Sequence, residues 1–427
     1  MLYTLRPGDT AYAVARRFSV PPKNLLADNG ITAPEKLPVG LTLLVREPKA
    51  TYTVRPGDTL FSVARSTQTP LIDLWRSNLF LQGKASIFPG DILFLGTKSE
   101  KRAGFQIGGY CYPFTPSGWL DTVMPFLSCV IPFTYGFRAD GTLLPLNDGA
   151  IRASAGYYGT ATLLHLSTLT ENDTFSVSLA ETLFASPSMQ ETLIADILAE
   201  LKRGNYYGVD VDFEFLGARN AENYVSFLSL LRDRLHPLGY PLIAALAPKT
   251  RDDQPGTLYE GHDYAAIGNV VDCVLLMTYE WGYTYGPPQS ISPLGPVKRV
   301  LEYALTRIPA EKIFLGISDY GYDFTLPYVQ GVSKARSLGI NDAILLAGEK
   351  GAEIFFDETA YAPYFRYTEN GVSHIVWFED PRSLSTRLSL LSEYGLRGAL
   401  WWNFTRRDSG ALALLGELFA RTDVNLF

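Results

Sequence analysis

The chain has 427 residues, 47% hydrophobic and 19% charged, which is enough for two or three domains around a large core. A formal charge of −7 leaves no basic surplus to displace counterions from nucleic acid, and no run of eighteen apolar residues is present to span a membrane. Cys111, Cys129 and Cys273 lie far apart and the four histidines are scattered, so neither a disulfide framework nor a metal site is expected, and no cofactor is called for.

The N-terminus, MLYTLRPGDT, enters a folded pattern at once, so no cleaved leader is expected. Tyr3-Thr-Leu-Arg-Pro-Gly-Asp-Thr10 recurs as Tyr52-Thr-Val-Arg-Pro-Gly-Asp-Thr59. A helical stretch follows each copy, then an asparagine (Asn29, Asn78), then a short apolar strand (LTLLV, DILFLG). Each unit therefore reads strand, helix, helix, strand. Arg-Pro-Gly-Asp is turn chemistry, and Asp9-Thr10 and Asp58-Thr59 are placed to cap the helices that start there. Units at 1–47 and 50–97 and a charged linker at 98–103 lead into a third domain at 104–427.

These units resemble the LysM module, whose βααβ fold binds polymers containing N-acetylglucosamine. The resemblance implies a glycan groove formed by Gly8, Asp9, Thr10, Asn29 and Ile31 in the first module. In the second it implies Gly57, Asp58, Thr59, Leu60, Asn78 and Leu79. For the glycines and aspartates, turn-building and sugar contact are equally good explanations. Paired weak sites on one chain gain avidity on a repeating polymer.

From residue 104, apolar strand-like runs alternate with helical ones: GFQIGGYCYPF, SCVIPFTYGF, TATLLHLS, YYGVDVDFEF, PLIAALAP, VDCVLLMTYEWG, KIFLGISDYGYDF and GALWWNF. The pattern predicts an α/β fold, a (β/α)8 TIM barrel of about 250 residues, with the surplus length in a small α+β insertion after the seventh strand. A doubly wound sheet is the alternative, but GGYCYPF is not a glycine-rich phosphate turn.

In YYGVDVDFEFLG, Asp210, Asp212 and Glu214 alternate with Val209, Val211, Phe213 and Phe215. Period two sends the acids to one face, roughly 6.6 Å apart along the strand, and the apolar residues to the other. A solvated edge strand would look the same. In a parallel barrel both faces are covered, so three carboxylates there are costly unless they serve a site at the strand's C-terminal end. Calcium ligation fits poorly, because the acids lie on one strand without a ligand loop.

This stretch resembles the DGxDxDxE signature of family 18 glycoside hydrolases, with Tyr207 in place of the first aspartate. MTYEWG resembles that family's M-x-Y-D, with Glu280 replacing Asp, and GALWWNF resembles its last strand, with Trp402 as the matching tryptophan and Trp401 as core. The resemblance implies catalysis assisted by the substrate's own 2-acetamido group, an exception to the scheme of two working carboxylates. It makes Glu214 the general acid, Asp212 the group that orients the acetamide, Asp210 its support, Tyr279 a donor to the acetamide oxygen and Trp402 the floor of the −1 sugar. Glu280, Trp281, Asp319 and Tyr320 sit at expected strand ends, where loop packing and substrate contact are equally good readings.

Two LysM modules ahead of a family 18 barrel are similar to the bacterial spore cortex-lytic enzymes of germination, which share runs like MTYEWGYTYGPP and GYDFTLPY. That likeness implies a monomeric N-acetylglucosaminidase, resident in the spore, acting on cortex peptidoglycan. A LysM-targeted chitinase is the alternative enzyme. A non-catalytic glycan-binding lectin is the alternative from another class, although such lectins usually lose the acid that Glu214 supplies.

Overall fold

In the computed structural model, residues 1–169 and 174–427 are described. The two repeats fold alike. Leu2–Thr4 pairs antiparallel with Thr42–Leu44 around helices Ala11–Arg17 and Pro22–Asp28. Thr51–Thr53 pairs with Ile92–Phe94 around helices Leu60–Thr67 and Leu71–Ser77. The repeated sequence produces repeated chemistry. Gly8 and Gly57 both take φ +87°, and the Thr10 and Thr59 hydroxyls cap the first helices by accepting from Ala13 N and Ser62 N. The neighbouring aspartates brace the turn and leave the capping to threonine. Asp9 accepts from Tyr3 Oη and Arg6 N at 2.8 Å, and Asp58 accepts from Tyr52 Oη at 2.8 Å and Arg55 N at 2.7 Å. The backbone N–H of Arg6 or Arg55 and then the tyrosine hydroxyl hold each carboxyl below its ordinary pKa.

Eight parallel strands close into a barrel: β1 (Gln106–Cys111), β2 (Cys129–Pro132), β3 (Ala161–Ser167), β4 (Gly208–Asp212), β5 (Leu242–Leu246), β6 (Cys273–Leu276), β7 (Ile313–Ser318) and β8 (Gly398–Trp402). Helices such as Pro187–Gly204, Ala221–Leu235 and Leu294–Ala304 connect them and cover the outside. β8 closes on β1 with Gly398 opposite Gln106. A Cβ at Gly398 would lie 1.8 Å from the Gln106 carbonyl oxygen, so the seam requires glycine there.

The run KIFLGISDYGYDF, read from sequence as one strand, divides at Asp319. Its first half is β7, and Tyr320–Leu326 leaves the barrel to join an antiparallel sheet. That sheet runs in the order Arg336–Gly339, Tyr320–Leu326, Val372–Trp377, Ala362–Glu369, Ile354–Asp357, with helix Ile340–Glu349 packed on it.

The modules are seated on this body. Leu5, Val14, Leu25 and Leu43 of the first share a core with Ile340, Ala343, Ile354 and Phe365 of the inserted sheet. Trp75 of the second packs edge-on against Tyr158, ring centroids 5.1 Å apart, and Arg76 Nη2 donates to Phe419 O at 2.6 Å. The segment 98–103 is stitched to the barrel's last helix, Ser99 Oγ donating to Glu417 O at 2.8 Å and Arg102 N to Leu418 O at 2.8 Å. Buried Arg46 joins the pieces. It forms an ion pair with buried Asp28 and donates through Nη1 to Arg76 O at 2.9 Å and through Nη2 to Ser77 O at 3.1 Å.

Candidate active site

Strand β4 carries the acids to the C-terminal mouth of the barrel. Its register sets Asp210 beside His165 and Asp212 beside Ser167 of β3. Val209 and Val211 point outward under the helices, and Phe213 joins that outer layer by stacking on Phe227 and Tyr224 at 5.8 and 5.6 Å. The alternation stops there. Regular strand ends at Asp212, and Phe215 takes φ +59° and is exposed, so it leaves the apolar face the sequence pattern gave it. The chain is turning toward helix Ala221–Leu235 at that point, which frees Phe215 from the pleat.

Asp210 is fully buried and its Oδ2 accepts from Tyr110 Oη at 2.8 Å. His165 Nε2 lies 3.7 Å from Oδ2 of both Asp210 and Asp212, while its Nδ1 is 2.5 Å from Thr134 Oγ1. Burial raises the Asp210 pKa to about 6, against the pull of His165 and the Tyr110 hydroxyl, and the Asp212 charge adds to the rise. Half-buried Glu214 stands beyond them. Burial first, then the charges of Asp212 and Glu280, push its pKa well above the ordinary carboxyl range, which favours the protonated form an acid needs.

Tyr279 follows β6 and enters the same cleft. Burial and then the Asp212 charge raise its pKa, keeping the phenol neutral and able to donate. Gly316 on β7 makes room for it, since a Cβ there would meet Tyr279 Cε1 at 2.9 Å. Half-buried Trp402, at the end of β8, is held edge-on by Phe133 at 4.8 Å and by Tyr110 at 5.3 Å. Trp401 points the other way into the core, fully buried. Asp212, Glu214, Tyr279, Glu280, Trp281 and Trp402 line one cleft of about 490 Å³. That volume suits sugar rings, and the aromatic faces offer them stacking surfaces.

The remaining sequence candidates divide. Glu280 (φ +65°) sits at the rim, accepting from Tyr320 Oη at 2.5 Å and Tyr322 Oη at 3.0 Å. Tyr320 therefore orients Glu280 from a neighbouring recess and stands outside the main cleft. Asp319 is fully buried and lines neither space, which favours the packing reading, because the chain switches from barrel to inserted sheet at that residue. Burial raises its pKa well above the ordinary value, with Asp408 adding to the rise. Tyr207 lies half-buried at the opposite, N-terminal end of β4, packed near Val424 and Leu426, away from the cleft.

In the two N-terminal modules the asparagines are engaged by the backbone. Asn29 and Asn78 are buried, each amide donating twice and accepting once from backbone: Leu25 O, Leu44 O and Leu44 N for one, Leu74 O, Phe94 O and Phe94 N for the other. These bonds pin the second helix to the last strand and leave no obvious polar atom for a glycan. Leu60 and Leu79 are also buried, in the second module's core. Ile31 is half-buried in a small recess facing Ile344 and Leu345. Gly8 and Thr10 with Gly57 and Thr59 remain exposed, and Asp9 and Asp58 are half-buried beside them.

Tyr110, Phe133 and His165 were not legible as site residues in the sequence. Nothing in their own runs sets them apart from neighbouring aromatic or apolar residues, and only the register of β1, β2 and β3 brings them to the acids.

The model of glycosyl hydrolases family 18 matches residues 153–406, and that of the LysM domain matches 3–46 and 52–96. The chain belongs to glycosyl hydrolase family 18. This family 18 glycosidase is 36% identical to the cortical fragment-lytic enzyme of Bacillus anthracis over 408 residues, 94% of each chain. It is 42% identical to the enzyme of that name from Bacillus subtilis (strain 168) over 281 residues, 65% of this chain and 64% of the relative. Its fold matches the crystal structure of the spore cortex-lytic enzyme SleL of Bacillus megaterium QM B1551 with a TM-score of 0.83 at 32% identity, over 99% of both chains. The glycosidase is thus a homologue of cortex-lytic enzymes, and its LysM and family 18 domains imply a glycan containing N-acetylglucosamine.

Proposed function

We propose that the enzyme cleaves β-1,4 bonds after N-acetylglucosamine in spore-cortex peptidoglycan, by retaining catalysis in which the substrate's acetamide is the nucleophile. The observation that carries this reading is the gathering of Glu214, Asp212, Tyr279 and Trp402 around one cleft, where burial raises the pKa of Glu214. Glu214 donates its proton to the glycosidic oxygen as that bond breaks. The acetamide oxygen of the sugar over Trp402 then bonds to the anomeric carbon, giving an oxazolinium ion. Asp212 accepts the acetamide N–H and stabilises the positive charge growing on that group, Asp210 and His165 steady Asp212, and Tyr279 donates to the acetamide oxygen. Water, deprotonated by Glu214, opens the ring from the vacated face, which restores the original configuration and the acid's proton. A muramic lactam has its nitrogen tied into a second ring, so N-acetylglucosamine is the sugar equipped to assist.

The LysM modules add weak affinity through their exposed Gly-Asp-Thr turns and hold the enzyme on the polymer of the bacterial spore. Substrate assistance is tested by replacing the assisting N-acetyl group with mono-, di- and trifluoroacetyl. Each fluorine weakens the amide oxygen as a nucleophile, so kcat/KM is expected to fall stepwise, by about 10-fold or more overall, which is ~1.4 kcal/mol of barrier or more. A flat series would sink the acetamide as nucleophile.

A further inference from the structure

A second recess, of about 420 Å³, opens beside the cleft on the other side of Trp402 and Glu280. Its walls are aromatic: Tyr112, Phe114, Tyr320, Tyr322 and Trp402. Phe114 is 74% exposed and stacked on Tyr112 at 5.0 Å, so an apolar face lies open at the edge of this recess. One cation is placed among them. Arg406 is half-buried, its guanidinium lies 5.5 Å from the Tyr320 ring centre, and Nη1 donates to Ser337 Oγ at 2.8 Å.

Ser337 is a neutral acceptor, and among the described residues Arg406 has no carboxylate within ion-pair distance. Two acids feel its charge from farther off: Glu280, hydrogen-bonded by two tyrosine hydroxyls, and Asp319, buried behind the wall. Burial raises both their pKa values, and Arg406 pulls each partly back down without a direct contact to it. A guanidinium carries five N–H donors in a planar fork suited to a carboxylate. Half-buried and with one hydrogen bond to a hydroxyl, the fork keeps donors free for a ligand entering the aromatic recess.

We propose that this recess takes a non-lactam muramoyl residue, one that keeps its open lactyl-linked stem, next to the sugar seated over Trp402, and that Arg406 binds a carboxylate on that stem. This rests on the peptidoglycan reading above and deepens it. Trp402 is shared by the two spaces, so one strand of alternating sugars passes from one to the other across its ring. A polymer of N-acetylglucosamine alone places a neutral hydroxyl where the stem would be and gains nothing from Arg406. The recess therefore distinguishes peptidoglycan from chitin next to the reacting sugar, and Arg406 is a specificity residue outside the bond-breaking machinery.

The test compares three substrates with the full-length enzyme: a peptidoglycan tetrasaccharide with free stem carboxylates, the same compound methyl-esterified, and a chitin tetrasaccharide. Wild type is expected to lose about 10-fold or more in kcat/KM on esterification, mainly through KM, in line with a charge-assisted contact. Arg406→Gln is expected to lose the same factor on the free acid, to be indifferent to esterification and to keep its chitin activity, while Arg406→Lys recovers part of the loss. Equal loss by Arg406→Gln on all three substrates would make Arg406 a prop for Ser337 and Tyr320 and overturn the proposal. Wild type indifferent to esterification would overturn it without any variant and leave the N-acetylglucosaminidase reading standing. Wild type acting on chitin alone would overturn both.

Discussion

Glu214→Gln is expected to lower kcat/KM on cortex fragments by about 10³-fold or more while sedimentation with peptidoglycan stays unchanged. General acid–base catalysis contributes roughly 10²–10⁴-fold, and on the proposed mechanism Glu214 acts in both steps. The substitution keeps the side chain's size and removes only its proton. The same assignment fixes the pH dependence. The acid works protonated, so activity falls as pH rises through the Glu214 pKa, which burial and the charge of Asp212 have moved upward. Removing the titrating group removes that alkaline limb from any residual rate. A glutamine variant with wild-type turnover, or with the alkaline limb intact, would move the acid to another residue.

Arg46→Met is expected to destabilise the protein by about 3–5 kcal/mol, the usual result of stranding one partner of a buried ion pair. The stranded group is Asp28, which is buried and whose pKa is raised by that burial even with Arg46 beside it. Loss of Arg46 also strands two carbonyls, of Arg76 and Ser77, so the first module loses its buried polar tie to the second and keeps the Lys23–Asp91 ion pair. Urea unfolding should show the loss in the midpoint, and hydrogen exchange should place it in residues 1–97. Turnover of a short soluble substrate should be nearly unchanged, since Arg46 is remote from the cleft. A change of 1 kcal/mol or less would mean that Arg46 contributes little and that the modules are held by their other contacts.

The parts legible in the sequence were those that depend on spacing along one element. The Arg-Pro-Gly-Asp-Thr repeat defines two modules, and the period-two acids define the inner face of one barrel strand. Contacts across elements were not legible. Nothing local marks His165 as the neighbour of Asp210, because that pairing is a matter of β3–β4 register. Asp319 looked like a strand-end residue facing the site, yet the chain changes sheets there and turns it inward. Asn29 and Asn78 are glycan candidates only through the resemblance to the LysM module. They recur because each module has one helix to fasten to one strand, and a buried amide with three backbone partners does it. Repetition marks need, and in this case the need is structural.

The central claim is that the sugar whose acetamide assists is N-acetylglucosamine, so its carbon becomes the new reducing end. Mass spectrometry of borohydride-reduced products, after digestion of spore-cortex fragments, reads that end directly. Glucosaminitol termini are expected, with muramic lactam left inside or at the non-reducing end. Muramicitol termini would contradict it, because the bond cleaved would then be the other one in the repeat.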